Sequence, residues 1–340
     1  MLLQEHIPLD TLNTFGVKAQ ARYYVRINDV QQLQDLLSSP LLHKLFPRLI
    51  LGGGSNVLFI NDFEGIVLHV AINGIAVVKE DQDHVWVQAG AGVNWHTLVL
   101  YCVRHGYAGI ENLSLIPGTV GAAPVQNIGA YGVELSDVFS SLNALEVSPG
   151  SVRTFHQEDC AFGYRSSIFK NELKGQYIIL NVTLKLNKKP AFRVDYGAIA
   201  STLKAMGAQT LSIKAISEAV IYLRRRKLPD PVRLGNAGSF FKNPVVSQAQ
   251  FKQLKASSPQ IPGYQQLHGH FKVPAAWLIE QCGWKGQRHG TVGVYDQHAL
   301  VLVNHGGATG KAIYQLSQSI QQSVRDRFGI ALVPEVQVID

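Results

Sequence analysis

Three polar side chains stand in settings that suit chemistry. Arg165 lies in Phe162-Gly163-Tyr164-Arg165-Ser166-Ser167. A guanidinium there can grip a carboxylate through two parallel hydrogen bonds and stabilise a developing enolate oxygen, or be an ordinary surface cation. Ser239 lies in Gly235-Asn236-Ala237-Gly238-Ser239-Phe240-Phe241-Lys242-Asn243-Pro244. That spacing is not G-x-S-x-G, so Ser239 is a poor acyl nucleophile. Its hydroxyl can still give a proton to a basic, carbanion-like carbon, or simply bond its own turn. Glu335, in Leu332-Val333-Pro334-Glu335-Val336-Gln337-Val338, falls by alternation on the face of Val333 and Gln337, opposite Val336 and Val338. It could orient an acid or carry a proton, or be an edge-strand charge that discourages aggregation. His268, His270, His289, His298 and His305 have no metal-ligand spacing, and no metal is expected.

Two glycine-rich segments point to a phosphate-bearing ligand. Gly52-Gly53-Gly54-Ser55-Asn56 follows the β-type run Arg48–Leu51 and leads into Val57-Leu58-Phe59-Ile60. A Rossmann fingerprint opens a helix, so strand-to-strand glycines argue against that site. Their N–H groups can instead line a nest for a pyrophosphate, or form a tight turn. The second segment, 116–135, holds Gly118, Gly121, Gly129 and Gly132 with two prolines, the composition of a structured loop with free backbone N–H groups.

The elements that must position these residues follow from periodicity. Helices are expected over Asp29–Ser38, from an Asn94 cap to Gly106, over Ser212–Lys227 and Pro274–Cys282, and over Thr309–Phe328. Strands are expected at Ile66–Val70, His84–Gln88, Leu142–Val147, Tyr177–Leu186 and Ile330–Ile339. Helices interspersed with β-runs, without strict βαβ alternation, indicate α+β domains.

At 340 residues and 46% hydrophobic, the chain can build two or three cores, and no biased run suggests a disordered tail. The net charge of +7 is concentrated at Arg224-Arg225-Arg226-Lys227, which reads as a solvated helix end, a nucleic-acid contact or a site for an anionic small molecule. Cys102, Cys160 and Cys282 form no C-x-x-C pair and read as reduced core thiols. Met1-Leu2-Leu3-Gln4-Glu5-His6 lacks the look of a signal peptide, and no apolar run suits a membrane span, so the cytoplasm is expected.

Taken in order, Asn13-Thr14-Phe15-Gly16, Gly52–Asn56, Ile116-Pro117-Gly118-Thr119-Val120-Gly121 with Gln126-Asn127-Ile128-Gly129-Ala130-Tyr131-Gly132, Tyr164-Arg165, Gly238–Pro244 and Pro334-Glu335-Val336 resemble the UDP-N-acetylenolpyruvoylglucosamine reductase family, over roughly residues 10–340. The resemblance implies an FAD-binding fold of the vanillyl-alcohol-oxidase (PCMH) type in two subdomains, plus a C-terminal α+β substrate domain. The limits implied are 1–68, completed by 329–340, then 69–210, then 211–328. It also implies hydride transfer from NADPH, through non-covalently bound FAD, to UDP-N-acetylglucosamine enolpyruvate, giving UDP-N-acetylmuramate for cell-wall synthesis. Carried over residue by residue, Arg165 and Glu335 would support the enolate and Ser239 would protonate it. The cofactor positions would be Gly52, Gly53, Gly54, Ser55, Asn56, Pro117, Gly118, Thr119, Gly121, Gln126, Asn127, Ile128 and Gly129. The nucleotide would meet Tyr196, Lys227, Asn243, Tyr264 and Lys285, with Tyr264 resembling the closing-loop tyrosine of the family's longer form. Gln337 departs from the pattern, standing where an Arg commonly follows the terminal Glu. A monomer without nucleic-acid or membrane partners is expected. The rivals are another flavin oxidoreductase on the same fold and a non-catalytic nucleotide-sugar or RNA-binding protein.

Overall fold

A computed structural model describes residues 3–39, 47–148, 150–266 and 269–340; His268, Met1 and Leu2 lie outside them. The chain divides into two compact units. The first comprises Met1–Ile7, Ala21–Gly53 and Glu64–Arg225, and the second Pro8–Gln20, Gly54–Phe63 and Arg226–Asp340. The triglycine loop therefore gives Gly52 and Gly53 to one unit and Gly54 to the other.

The first unit contains a five-stranded antiparallel sheet, ordered Val152–His156, Phe139–Glu146, Tyr177–Asn187, His84–Gly90, Ile75–Glu80. In His84–Gly90 the residues Val85, Val87 and Ala89 are buried while His84, Trp86 and Gln88 are less so, as period-2 pleating requires. Tyr177–Asn187 runs through the middle of the sheet and is buried over most of its length, with Asn181 and Lys185 the less buried positions among Leu180, Val182, Leu184 and Leu186. A second sheet is ordered Gln4–Pro8, Gln20–Ile27, Phe63–Val70, Arg48–Leu51, the last two parallel.

The helix Trp95–His105 packs Trp95, Leu98, Val99 and Cys102 into this core. Asn94 accepts from the Thr97 N–H at 3.1 Å, and Gly106 ends the helix at φ 74°, a left-handed conformation that glycine adopts without the Cβ clash. Asp29 caps Val30–Leu37 in the same manner through the Gln32 N–H. Burial pushes the Cys102 and Cys160 thiols up to about 12, so both are inert core groups.

In the second unit Gln337–Ile339 pairs in parallel with Val57–Phe59. Two three-stranded sheets accompany them, Val245–Ser247, His270–Lys272, Tyr264–Gln265 and Arg288–His289, Val292–Val294, Leu302–Asn304. The helix Gly310–Phe328 buries Ile313, Leu316, Ile320, Val324 and Phe328, the face expected from spacing. The terminal strand is shorter than sequence alternation suggests. It covers Gln337–Ile339 rather than Ile330–Ile339: Pro334 makes an isolated bridge to Phe241, and the chain then changes partner before Gln337 pairs with Val57. Glu335 accordingly sits in an irregular segment, half-buried, and its facing is not set by strand alternation.

Candidate active site

In the first unit the two glycine segments meet. A Cβ placed on Gly53 would come within 3.1 Å of the Gly118 Cα, and one on Gly52 within 2.4 Å of the Thr119 Oγ1. Glycine is required here by close approach of one loop to the other. The Thr119 hydroxyl oxygen is buried with no hydrogen-bond partner among the described residues. A buried hydroxyl left unmatched is costly, so one aimed into a cradle of glycine backbone fits a polar ligand such as the FAD diphosphate.

The second loop is anchored from the start of Trp95–His105. The Trp95 N–H donates to the Gly118 carbonyl at 3.0 Å, and the Val120 and Gly121 N–H groups donate to Val93 and Ala91, each at 2.9 Å. The neighbouring candidates Pro117 and Gln126 fall in the same turn-rich stretch, and Ile128 is buried. Asn127 is buried at φ 43° and its side chain is committed to the loop itself. It donates to Glu134 Oε2 at 2.8 Å and the Gly163 carbonyl at 3.2 Å, and accepts from the Ser136 N–H at 3.0 Å.

Arg165 is half-buried in the first unit, with φ 53°, an uncommon conformation for a residue with a Cβ. Its Nη2 donates to the Gly129 carbonyl at 2.5 Å and Nη1 to the Asn127 carbonyl at 3.4 Å, fixing the guanidinium against the second glycine loop. Arg224 is close enough for the two like charges to act on each other: burial first, then Arg165, depresses the Arg224 pKa, while Tyr131 opposes. Arg224 is half-buried and donates from Nε to the Leu115 carbonyl at 3.2 Å, whereas Arg225, Arg226 and Lys227 are exposed. The solvated-end reading of that run is thus corrected for Arg224. Tyr196 is exposed and lies over Gly132, where a Cβ would meet the Tyr196 Cβ at 3.1 Å.

In the second unit the segment that follows Ser239 pairs with the segment that carries Glu335. The Glu335 N–H donates to the Phe240 carbonyl at 2.7 Å, the Lys242 N–H to the Val333 carbonyl at 2.9 Å, and Phe241 bridges Pro334. Phe240 and Phe241 are buried, so the turn is pinned by its rings while Ser239 before them is half-buried. Asn56 Nδ2 donates to the Glu335 carbonyl at 3.3 Å, and the Gln337 N–H donates to the Asn56 carbonyl at 3.0 Å, tying the end of the triglycine loop to Glu335. Gly54, next to the half-buried Ser55, has φ +61°, and a Cβ there would strike the Leu12 carbonyl at 1.9 Å. Its own carbonyl receives the Thr14 N–H at 3.0 Å, giving the Asn13–Gly16 motif a scaffolding purpose.

Of the nucleotide candidates in this unit, Lys227 and Lys285 converge on His298, whose pKa is lowered by burial and then by those two cations. Lys285 Nζ is ion-paired with Glu280 Oε1 at 2.8 Å. Asn243 Oδ1 accepts the Ala275 N–H, the first amide of the helix Ala275–Gln281. Tyr264 is exposed on the short strand opposite Lys272. His96 in the first unit and Glu280 in the second were not singled out by sequence reasoning; no local spacing marks them, because their contacts come from tertiary packing.

A family model described as an FAD binding domain matches residues 21–155, and one described as the C-terminal domain of UDP-N-acetylenolpyruvoylglucosamine reductase matches residues 230–339. The UDP-N-acetylenolpyruvoylglucosamine reductase of Amoebophilus asiaticus is 60% identical over 339 residues, covering 100% of both chains. The chain belongs to the UDP-N-acetylenolpyruvoylglucosamine reductase family. The reductase of Burkholderia lata is 48% identical over 336 residues, 98% of this chain and 96% of that one. The crystal structure of the family's Thermus caldophilus enzyme covers 100% of both chains with a TM-score of 0.70 at 23% identity. A solvent-stable cholesterol oxidase aligns over 95% of this chain and 85% of its own at a TM-score of 0.50 and 12% identity, a likeness of fold alone. The fold is the α+β, FAD-binding one of the vanillyl-alcohol-oxidase type with the family's C-terminal domain. No helix among the described residues is long and apolar enough to cross a membrane.

Proposed function

We propose that this chain reduces UDP-N-acetylglucosamine enolpyruvate to UDP-N-acetylmuramate with NADPH, using FAD bound without a covalent link. The observation that supports the reading is the pairing of the segment after Ser239 with that of Glu335, whose N–H donates to the Phe240 carbonyl at 2.7 Å. Gly52–Asn56, Pro117–Thr119, Gly121 and Gln126–Gly129 would hold FAD, which when bound would supply the relay of hydride from NADPH to the substrate's methylene carbon.

The chain's own residues handle charge and the proton. Hydride addition to an α,β-unsaturated acid moves negative charge onto its carboxylate. Arg165, already oriented by the Gly129 and Asn127 carbonyls, is assigned to that carboxylate, where a fixed guanidinium lowers the barrier. Glu335 supports the enolate and orients proton delivery, and the Ser239 hydroxyl protonates the adjacent carbon. Lys227 and Lys285 are assigned to the diphosphate, with Tyr196, Asn243 and Tyr264 on the rest of the nucleotide. The three-part division at 1–68 with 329–340, 69–210 and 211–328, a monomeric state and a cytoplasmic location belong to the same proposal.

The test is NADPH oxidation in the presence and absence of the enolpyruvyl nucleotide sugar. Oxidation that depends on that substrate supports the reading; oxidation indifferent to it removes it.

A further inference from the structure

Leu115 immediately precedes the Ile116-Pro117-Gly118-Thr119 loop and holds φ 59°, a left-handed conformation that costs a leucine roughly 1–2 kcal/mol. Such a residue persists only where its surroundings over-determine it. Here both of its backbone polar groups are taken by side chains. The Leu115 N–H donates to His96 Nδ1 at 3.0 Å, and its carbonyl accepts from Arg224 Nε at 3.2 Å. The residues just before it are fixed as well. Trp95 Nε1 donates to the Leu113 carbonyl at 3.0 Å, and the buried Ser114 hydroxyl meets that of Ser217 at 2.8 Å. His96 belongs to the same first helical turn whose Trp95 N–H holds Gly118.

An imidazole nitrogen accepts an N–H only with its lone pair free, so His96 must be neutral, with its proton on Nε2. Protonation would turn Nδ1 into a donor pointed at another donor. We infer that His96 is a positioning residue whose unprotonated Nδ1 holds Leu115 in the turn that presents Pro117–Thr119 to FAD, so that protonating the ring releases the loop and weakens FAD binding. The inference rests on the assignment of that loop to FAD under the proposed function. Burial first, and then the cations Arg225 and Arg224 that face it from the helix Ile213–Lys227, hold the His96 pKa below its ordinary value of 6.5. The sign follows. The closed loop excludes a proton that the open loop takes up at an ordinary pKa, so binding is at full strength above about 6.5 and declines as pH falls through it.

The experiment measures FAD affinity by quenching of flavin fluorescence, from about pH 7.5 to about pH 5.5, for wild type, His96→Asn and His96→Leu. Asparagine offers an oxygen near the place of Nδ1 but does not titrate. A ring that binds its proton only in the open state predicts a wild-type loss of up to about tenfold over that range. His96→Asn should match wild type at the upper end and stay flat. His96→Leu should bind weakly throughout. Parallel pH curves for wild type and His96→Asn, or wild-type affinity in a folded His96→Leu, overturn the inference. If wild type takes up no FAD at any pH, the cofactor assignment of the loop fails and the inference with it. The comparison with asparagine stands even if the leucine variant does not fold.

Discussion

Thr119→Val should move two properties in opposite directions. The threonine Oγ1 is buried without a hydrogen-bond partner, 2.4 Å from where a Cβ on Gly52 would lie. Valine keeps the shape and removes the hydroxyl. In the cofactor-free protein, relief of an unmatched buried polar group is worth about 1–3 kcal/mol, so urea unfolding of FAD-free Thr119→Val should give a free energy higher by about 1 kcal/mol or more. In the FAD-bound protein the same hydroxyl is expected to donate to the cofactor. A hydrogen bond to a charged group contributes about 1.5–3 kcal/mol, so FAD affinity should fall roughly 10- to 150-fold. Equilibrium unfolding and fluorescence titration with FAD measure the two effects on one pair of proteins. A variant that is less stable without FAD would mean that the hydroxyl has a structural partner after all. A variant that binds FAD as tightly as wild type would mean that the cradle does not use it.

Other variants separate chemistry from binding. Ser239→Ala should retain bound FAD and its reduction by NADPH while product formation falls by about 10²–10⁴, the usual contribution of a positioned acid, measured by single-turnover product analysis. Normal turnover would remove the proton-donor role. Arg165→Lys should lose turnover far more than thermal stability, since an ammonium cannot copy a guanidinium held by the Gly129 and Asn127 carbonyls; wild-type kcat would refute this. Glu280→Gln frees Lys285 from an exposed ion pair at 2.8 Å. Because such pairs contribute at most about 1 kcal/mol, stability should barely move, while KM for the nucleotide sugar drops about two- to fivefold. An unchanged or raised KM argues against Lys285 on the diphosphate.

Local signals in this sequence translated well into structure wherever a single element carried them. Asn94 and Gly106 bound their helix as cap chemistry requires, and Arg48–Leu51, the triglycine loop and Val57–Phe59 run strand to strand, as the absence of a helix-opening pattern indicates. Period-2 burial at His84–Gly90 follows the alternation in the chain. Alternation misled at the C-terminus, where the chain bridges Phe241 at Pro334 and then changes partner, so that only Gln337–Ile339 forms a strand. The helices Ile199–Ala205 and Gln248–Ser257 were not foreseen, the first buried mainly through Ile199, Thr202 and Leu203 and the second through Leu254, too few apolar positions to announce a stripe.

The candidate site was legible as separate motifs and not as neighbours. Nothing in the spacing of Ser239 and Glu335 relates their segments; a backbone hydrogen bond from Glu335 to Phe240, nearly a hundred residues away, pairs them. Arg224 looked like one cation among four, yet it is less exposed than the other three and donates to the Leu115 carbonyl. His96 carried no signal at all, because its role depends on a left-handed turn far along the chain.

The most direct measurement of the central claim mixes NADPH-reduced, FAD-loaded protein with UDP-N-acetylglucosamine enolpyruvate in the absence of oxygen and follows the visible absorption of the flavin. Return of the oxidised spectrum, with UDP-N-acetylmuramate formed in equal amount, is the expected result. A flavin that stays reduced beside unchanged substrate would contradict it.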